Sequence, residues 1–203
     1  MGVSKSRRWR TTSPDEHMIQ QTDERAKHAI NTLEEVTAAV RAAFGSLSTE
    51  ELNRRPHDGG WSVAQCLDHL ITINTLYFPL LDSMRVGPPT PTAWERFSPL
   101  SGMFGRLLVK TLSPDSRKKL KTTRNALPAS STIDAGIIDR FIEHQSALIE
   151  RVRGVAPTVD HETRIVTSPL AGIVTYSLAD CLTLLAVHEQ RHLAQAKRVL
   201  TAG

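Results

Sequence analysis

The run His188-Glu189-Gln190-Arg191-His192 ends 11 residues before the last residue of the chain and sits in a strongly helical segment. Two histidines four apart share one face of an α-helix, about 6 Å from each other along its axis, so both imidazoles can reach one metal ion. With Glu189 between them the letters also spell H-E-x-x-H, the zinc-protease signature in which the Glu is a general base. That reading requires a third ligand downstream. Only Leu193 to Gly203 remains, and it holds no His, Asp or Glu. The longer metzincin pattern fails too, because Gln195 stands where its Gly belongs and Arg198 where its third His belongs. The protease reading is rejected, and the third ligand is expected upstream.

His69 is the best upstream candidate. It falls among Cys66, Ile73, Leu76 and Leu80 on a second helical segment, again at spacings of three and four. Burying imidazoles at such seam positions costs free energy unless their nitrogens are bonded or coordinated. A height check supports the pairing. His69 lies about 10 Å into its helix and the midpoint of the C-terminal pair about 20 Å into the other. In two antiparallel helices about 34 Å long those depths meet at one level, whereas parallel helices would miss by about 9 Å.

Four long segments carry helical periodicity. The first runs from about Ser13 to Phe44, with Ser13 as cap and Pro14 at the first helical position. The second covers Ser62 to about Met84, and Pro79 is expected to kink it or end it early. The third spans about Thr132 to Arg153, where Gly154 stops it, and the fourth Ser177 to about Leu200. Trp61-Ser62-Val63-Ala64-Gln65-Cys66 and Tyr176-Ser177-Leu178-Ala179-Asp180-Cys181 share one pattern. In each, Ser caps a helix, Gln65 or Asp180 completes a capping box or near variant, and the aromatic packs on the Cys as a staple. Between the second and third helices lies a Pro-, Gly- and Ser-rich insertion, residues 87–131, with short helices expected near Met103–Leu112 and Pro114–Lys121. Neither this stretch nor Gly154–Tyr176 shows convincing strand alternation. The fold class is therefore all-α, a four-helix bundle with a long insertion between its second and third helices. Residues 1–14 are read as a flexible basic tail and 15–203 as one domain.

Composition narrows the function. Hydrophobic residues make up 40% and charged residues 23%, ordinary for a globular protein, and the net charge is only +4. Basic residues concentrate in the tail and between Arg106 and Arg124, where a solvated surface is a better reading than a nucleic-acid face. No apolar run reaches the roughly 18–20 residues that cross a bilayer, and the N-terminus lacks the apolar core of a signal peptide. No nucleic acid and no membrane are expected as partners, and the cytoplasm is the expected location. Cys66 and Cys181 lie inside helices and do not form a disulfide framework.

The second helix, with Trp61-Ser62 and Cys66-Leu67-Asp68-His69-Leu70, and the later His188-x-x-x-His192-x-x-Gln195 resemble the DinB-like superfamily, which includes the YfiT-like metal-dependent hydrolases. Ser168-Pro169-Leu170-Ala171-Gly172-Ile173-Val174-Thr175 resembles that family's lead-in to its last helix. The resemblance implies a four-helix bundle, often a homodimer, with His69, His188 and His192 binding a divalent metal such as nickel or zinc. It further implies a small-molecule substrate and, by analogy with active relatives, a low-molecular-weight thiol such as bacillithiol, mycothiol or glutathione. A three-histidine site leaves coordination open for a water or thiolate nucleophile. The expected function is metal-dependent thiol transfer or hydrolysis on a small electrophile. The alternative is a non-catalytic bundle that binds metal, or a partner, under stress.

Around the triad the roles stay open. Glu189 is the candidate catalytic base, against a solvent-facing helix charge, and Asp68 carries the same two readings. Gln195 is a partner of a ligand or a surface residue. Cys66 reads as a buried small residue, Trp61 as a packing anchor and His144 as a core histidine. His17, His28, His57 and His161 have no constellation and read as surface residues.

Overall fold

Ser62 shows why the helices begin where they do. Its side chain accepts from the Gln65 backbone N–H at 3.2 Å, and the Gln65 side chain accepts from the Ser62 N–H at 3.2 Å, closing a capping box. In the computed structural model, which describes residues 14–57, 59–114, 127–128, 132–155 and 159–201, the order of elements is as follows. Helix α1 (Pro14–Phe44) is followed by α2 (Thr49–Asn53), α3 (Val63–Val86), α4 (Ala93–Phe97), α5 (Ser101–Leu112) and α6 (Ile137–Gly154). Strands β1 (Ile165–Thr167) and β2 (Thr175–Ser177) lead into α7 (Leu178–Thr201).

Helices α1 and α3 each pack against both α6 and α7, so the four long helices close into a ring in the order α1, α7, α3, α6. Trp61 just before α3, then His69 and Tyr77 on it, meet His192 and His188 of α7 and then Tyr176 of β2 just before α7, so α3 and α7 run antiparallel. The apolar interior is divided in two. One cluster gathers Leu33, Tyr77, Leu81, Leu148, Leu178 and Leu182. The other gathers Val40, Phe44, Leu67, Leu70, Phe141 and Ala196. Between the two levels α3, α6 and α7 each place polar side chains: His69 and Asn74, Gln145, and Glu189 and His192, all buried. The bundle therefore carries a polar layer at mid-height, and the metal-site candidates belong to it.

Three expectations change, and one alternative of a fourth falls away. Helix α3 is not ended by Pro79 but runs to Val86, close to the expected end near Met84, where Gly87 at φ 141° breaks it. Proline inside a helix costs about 3 kcal/mol. Burying Leu81 and Met84 beyond it offsets that cost at about 1.5–3 kcal/mol per side chain. Helix α6 starts at Ile137 rather than near Thr132, because Asn53 binds both the N–H (2.9 Å) and the carbonyl of Ile133 (2.6 Å) and holds that residue out of the helix. Where no sheet was expected, β1 and β2 pair antiparallel, Val166 opposite Tyr176. His161 is buried, not exposed, and its carbonyl accepts from the Ala179 N–H at 2.9 Å at the start of α7. The expected short helix near 103–112 is α5, whereas residues 1–13 of the expected tail and most of the expected helix at 114–121 lie outside the described residues, and Pro14 already belongs to α1.

The insertion is moored from two sides. Glu95 accepts from the Thr167 N–H (3.1 Å) and hydroxyl (3.0 Å), and Ser98 bonds to Thr175 at 2.6 Å, so α4 rests on the hairpin. Helix α5 packs on α7 and β2 through Ser101 and Gly105. A Cβ on Gly105 would stand 2.1 Å from Asp180 Oδ2 and 2.9 Å from Asp180 Cβ, so rotating the carboxylate would not relieve the clash. Gly105→Ala is expected to push α5 off α7 and destabilise the protein by about 1–3 kcal/mol, read by chemical denaturation. Unchanged stability would show that α5 is not packed this closely.

Candidate metal centre

His69 enters the polar layer from the second turn of α3, and His188 and His192 enter it from one face of α7. His188 Nε2 lies 3.4 Å from His69 Nε2 and 3.1 Å from His192 Nε2. One nitrogen from each ring falls within 4.8 Å of the other two. Burial pushes the His188 pKa down to about 3, helped by the His69 and Arg191 charges beside it. Burial likewise holds His192 well below the usual histidine range, with His188, His69 and Arg191 adding to the effect. Neutral imidazoles keep a lone pair for coordination. Three Nε2 atoms aimed at one point cannot all be satisfied by one another, because a neutral ring carries a single N–H. A divalent cation satisfies all three, so the donor set fits such an ion.

Trp61 does more than anchor packing. Its ring stacks on His192 at a 20° interplanar angle and 5.6 Å, and lies 4.7 Å from His69, so it forms one wall of the triad. His188 is the least buried of the three ligand candidates. Arg191 donates to the carbonyls of Thr111 (3.3 Å) and Ser113 (3.2 Å), tying the end of α5 to the helical turn between the two ligands.

Glu189 is not a solvent-facing charge, because it is fully buried and its carboxyl is held from two other helices. Asn74 of α3 donates to Oε1 at 2.7 Å, and Gln145 of α6 donates to Oε2. Burial pushes its pKa up to about 8, against the lowering effect of the two amides. In the metal-free protein this burial favours the protonated carboxyl near neutral pH. The carbonyl oxygens of Asn74 and Gln145 are buried without partners, and turning either amide over supplies an acceptor for that proton.

Among the remaining candidates, Asp68 is partly buried and Gln195 hydrogen-bonds the His192 side chain. The Cys66 thiol is buried and its pKa pushed up to about 12 by that burial, which suits packing rather than reactivity. His144 is partly buried, bonded to Thr75 at 3.1 Å and stacked on Phe78. His28 and His57 are exposed, and His17 lies outside the residues whose side chains are described. Asn74 and Gln145 were missed by the sequence reading. The available signal was their place on the apolar seams, Asn74 between Leu70 and Tyr77 and Gln145 between Phe141 and Leu148.

Glu189 gives a pH signature of defined sign. Its folded pKa of about 8 lies above the ordinary 4.5, so the stabilisation is full below about pH 4.5 and is lost as pH rises through about 8. Metal-free wild type should lose stability relative to Glu189→Gln by several kcal/mol in total across that window, read by denaturant unfolding at stepped pH. A wild-type minus variant difference that stays flat would refute the neutral carboxyl.

Comparison with known proteins agrees with this architecture. No curated protein matches the chain by sequence. A solved structure from Bacillus subtilis, described as "YfiT … a probable metal-dependent hydrolase with an unusual four-helix bundle topology", superposes with a TM-score of 0.52 at 16% identity. The match covers 98% of this chain and 94% of that one, and at this identity it shows a shared fold. The family model of the DinB superfamily matches residues 32–196, a span that takes in α3 and α6, most of α7, the second part of α1 and the three histidines, and the chain belongs to that superfamily.

Proposed function

We propose that this protein is a mononuclear, divalent-metal-dependent enzyme acting on a small electrophile, by hydrolysis or by transfer of a low-molecular-weight thiol. The observation that carries the reading is the convergence of one imidazole nitrogen from each of His69, His188 and His192 within 4.8 Å of the others. The similar Bacillus subtilis structure, itself described as a probable metal-dependent hydrolase, supports the same class. Bound there, zinc or nickel supplies a Lewis acid and lowers the pKa of a water or thiol in an open coordination position. The protein's own groups do the rest. Trp61 excludes water from one side of the triad, and the less buried His188 edge admits substrate. Arg191, whose charge reaches His188 and His192, favours an anionic thiol or a developing negative charge. Glu189 fixes the rotation of α7 through Asn74 and Gln145, and in this reading it is a positioning residue rather than the base.

Untagged protein should hold near-stoichiometric zinc or nickel by elemental analysis. His69→Ala, His188→Ala and His192→Ala should each weaken binding by more than the roughly 10–100-fold that loss of an outer partner costs. Metal-free wild type that refuses both ions would refute the reading. Assay of loaded protein on an activated ester, with and without glutathione, bacillithiol or mycothiol, separates hydrolysis from thiol transfer. A loaded, folded protein inert in every arm favours a non-catalytic metal-binding bundle.

A further inference from the structure

The outer faces of α4 and α5 are apolar where a surface helix is ordinarily polar. Trp94, Phe97, Leu100, Met103 and Leu107 are between 45% and 77% exposed, at successive spacings of three, three, three and four. Their direction follows from what lies behind them. Glu95 and Ser98 face the hairpin, leaving Trp94 and Phe97 on the outer side of α4. On α5, Ser101 and Gly105 are buried, and at 100° per residue Met103 and Leu107 project from the opposite side. Arg106 and Lys110 share that outer side, and Arg96 is exposed beside Phe97. The face therefore combines large apolar side chains with basic flanks. Contiguous exposed surface of this kind marks an interaction site.

Charge selects the occupant. Between Val86 and Pro114 the chain holds one acidic residue, Glu95, and its carboxylate is taken up by Thr92 and Thr167. A second copy laid on the face would oppose Arg96, Arg106 and Lys110 with their own likenesses and offer no acid in return. The stretches 1–13 and 115–126 are themselves mainly basic, so neither complements the face. The complement is acidic and external. It is also not a ligand for a cleft, because two helices lying flat on the hairpin and α7 present outward knobs rather than a groove. Apolar knobs with Trp and Phe, flanked by Lys and Arg, match the interface of an anionic bilayer, in which the apolar side chains enter the acyl boundary and the cations meet the headgroups.

We infer that the α4–α5 face docks the protein peripherally on anionic lipid membranes. The expectation of no membrane partner rested on the lack of a spanning segment, and among the described residues no helix is long and apolar enough to cross a membrane. Peripheral docking requires no such helix. The inference is independent of the chemistry at the histidines.

Flotation of the full chain with vesicles of phosphatidylcholine alone, and of phosphatidylcholine mixed with phosphatidylglycerol, tests it. Binding is expected only to the anionic vesicles, and it should fall as salt is raised. Arg106→Gln and Lys110→Gln should each weaken it about fivefold. Phe97→Ser with Met103→Ser should abolish it while metal content and melting temperature stay at wild-type values. Absence of binding by folded wild type would overturn the proposal, as would equal binding to neutral vesicles. So would retention on polyglutamate as tight as on anionic vesicles, or a dimer in solution that those same variants dissociate.

Discussion

Three helices are tied together at one buried carboxyl group. Glu189 of α7 receives Asn74 of α3 and Gln145 of α6, with all three side chains at 0% exposure. Apolar packing alone sets helix spacing well and helix rotation less well, because one aliphatic side chain can replace another with little change in shape. Hydrogen bonds in a dry interior are directional, and leaving them unmade is costly. The pin therefore decides which face of α7 meets α3. His188 and His192, on either side of Glu189 in sequence, turn toward His69 as a result. The division of the core into two apolar clusters with a polar layer between them follows from the same demand, since polar groups are best satisfied at one shared level.

The fold was largely legible in the chain because its long helices announce themselves by period and by caps. Ser62 with Gln65 marks the start of α3, and Ser177, whose hydroxyl accepts from the Asp180 N–H at 3.0 Å, marks the start of α7. What could not be read was decided by contacts far apart in sequence. Asn53 delays α6 by holding Ile133, 80 residues away. Pro79 is tolerated because the turns beyond it are buried, a fact of tertiary packing rather than of local propensity. The three-residue strands β1 and β2 are too short for alternation to register.

The site was legible in part for the same reason. Spacing places His188 and His192 on one face, and depth along two antiparallel helices brings His69 level with them, as the structure finds. The partners of Glu189 were not legible. A Glu between two histidines reads locally as a helix charge or a base, and only the positions of Asn74 and Gln145 on other helices reveal a third role. Trp61 was legible as a packing residue but not as a wall of the triad, since stacking on His192 depends on where α7 passes the start of α3.

The chain has three tryptophans, and the two among the described residues, Trp61 and Trp94, make the molecule report on itself. Trp61 lies in ring contact with two of the three histidines, so its fluorescence lifetime would sense the charge and spin of any ion added to those rings. Trp94 stands half exposed on the α4–α5 face, so its emission colour follows the polarity of what covers that face. With one indole substituted at a time, occupancy of the bundle interior and contact at its outer surface become separate optical signals that need no added label.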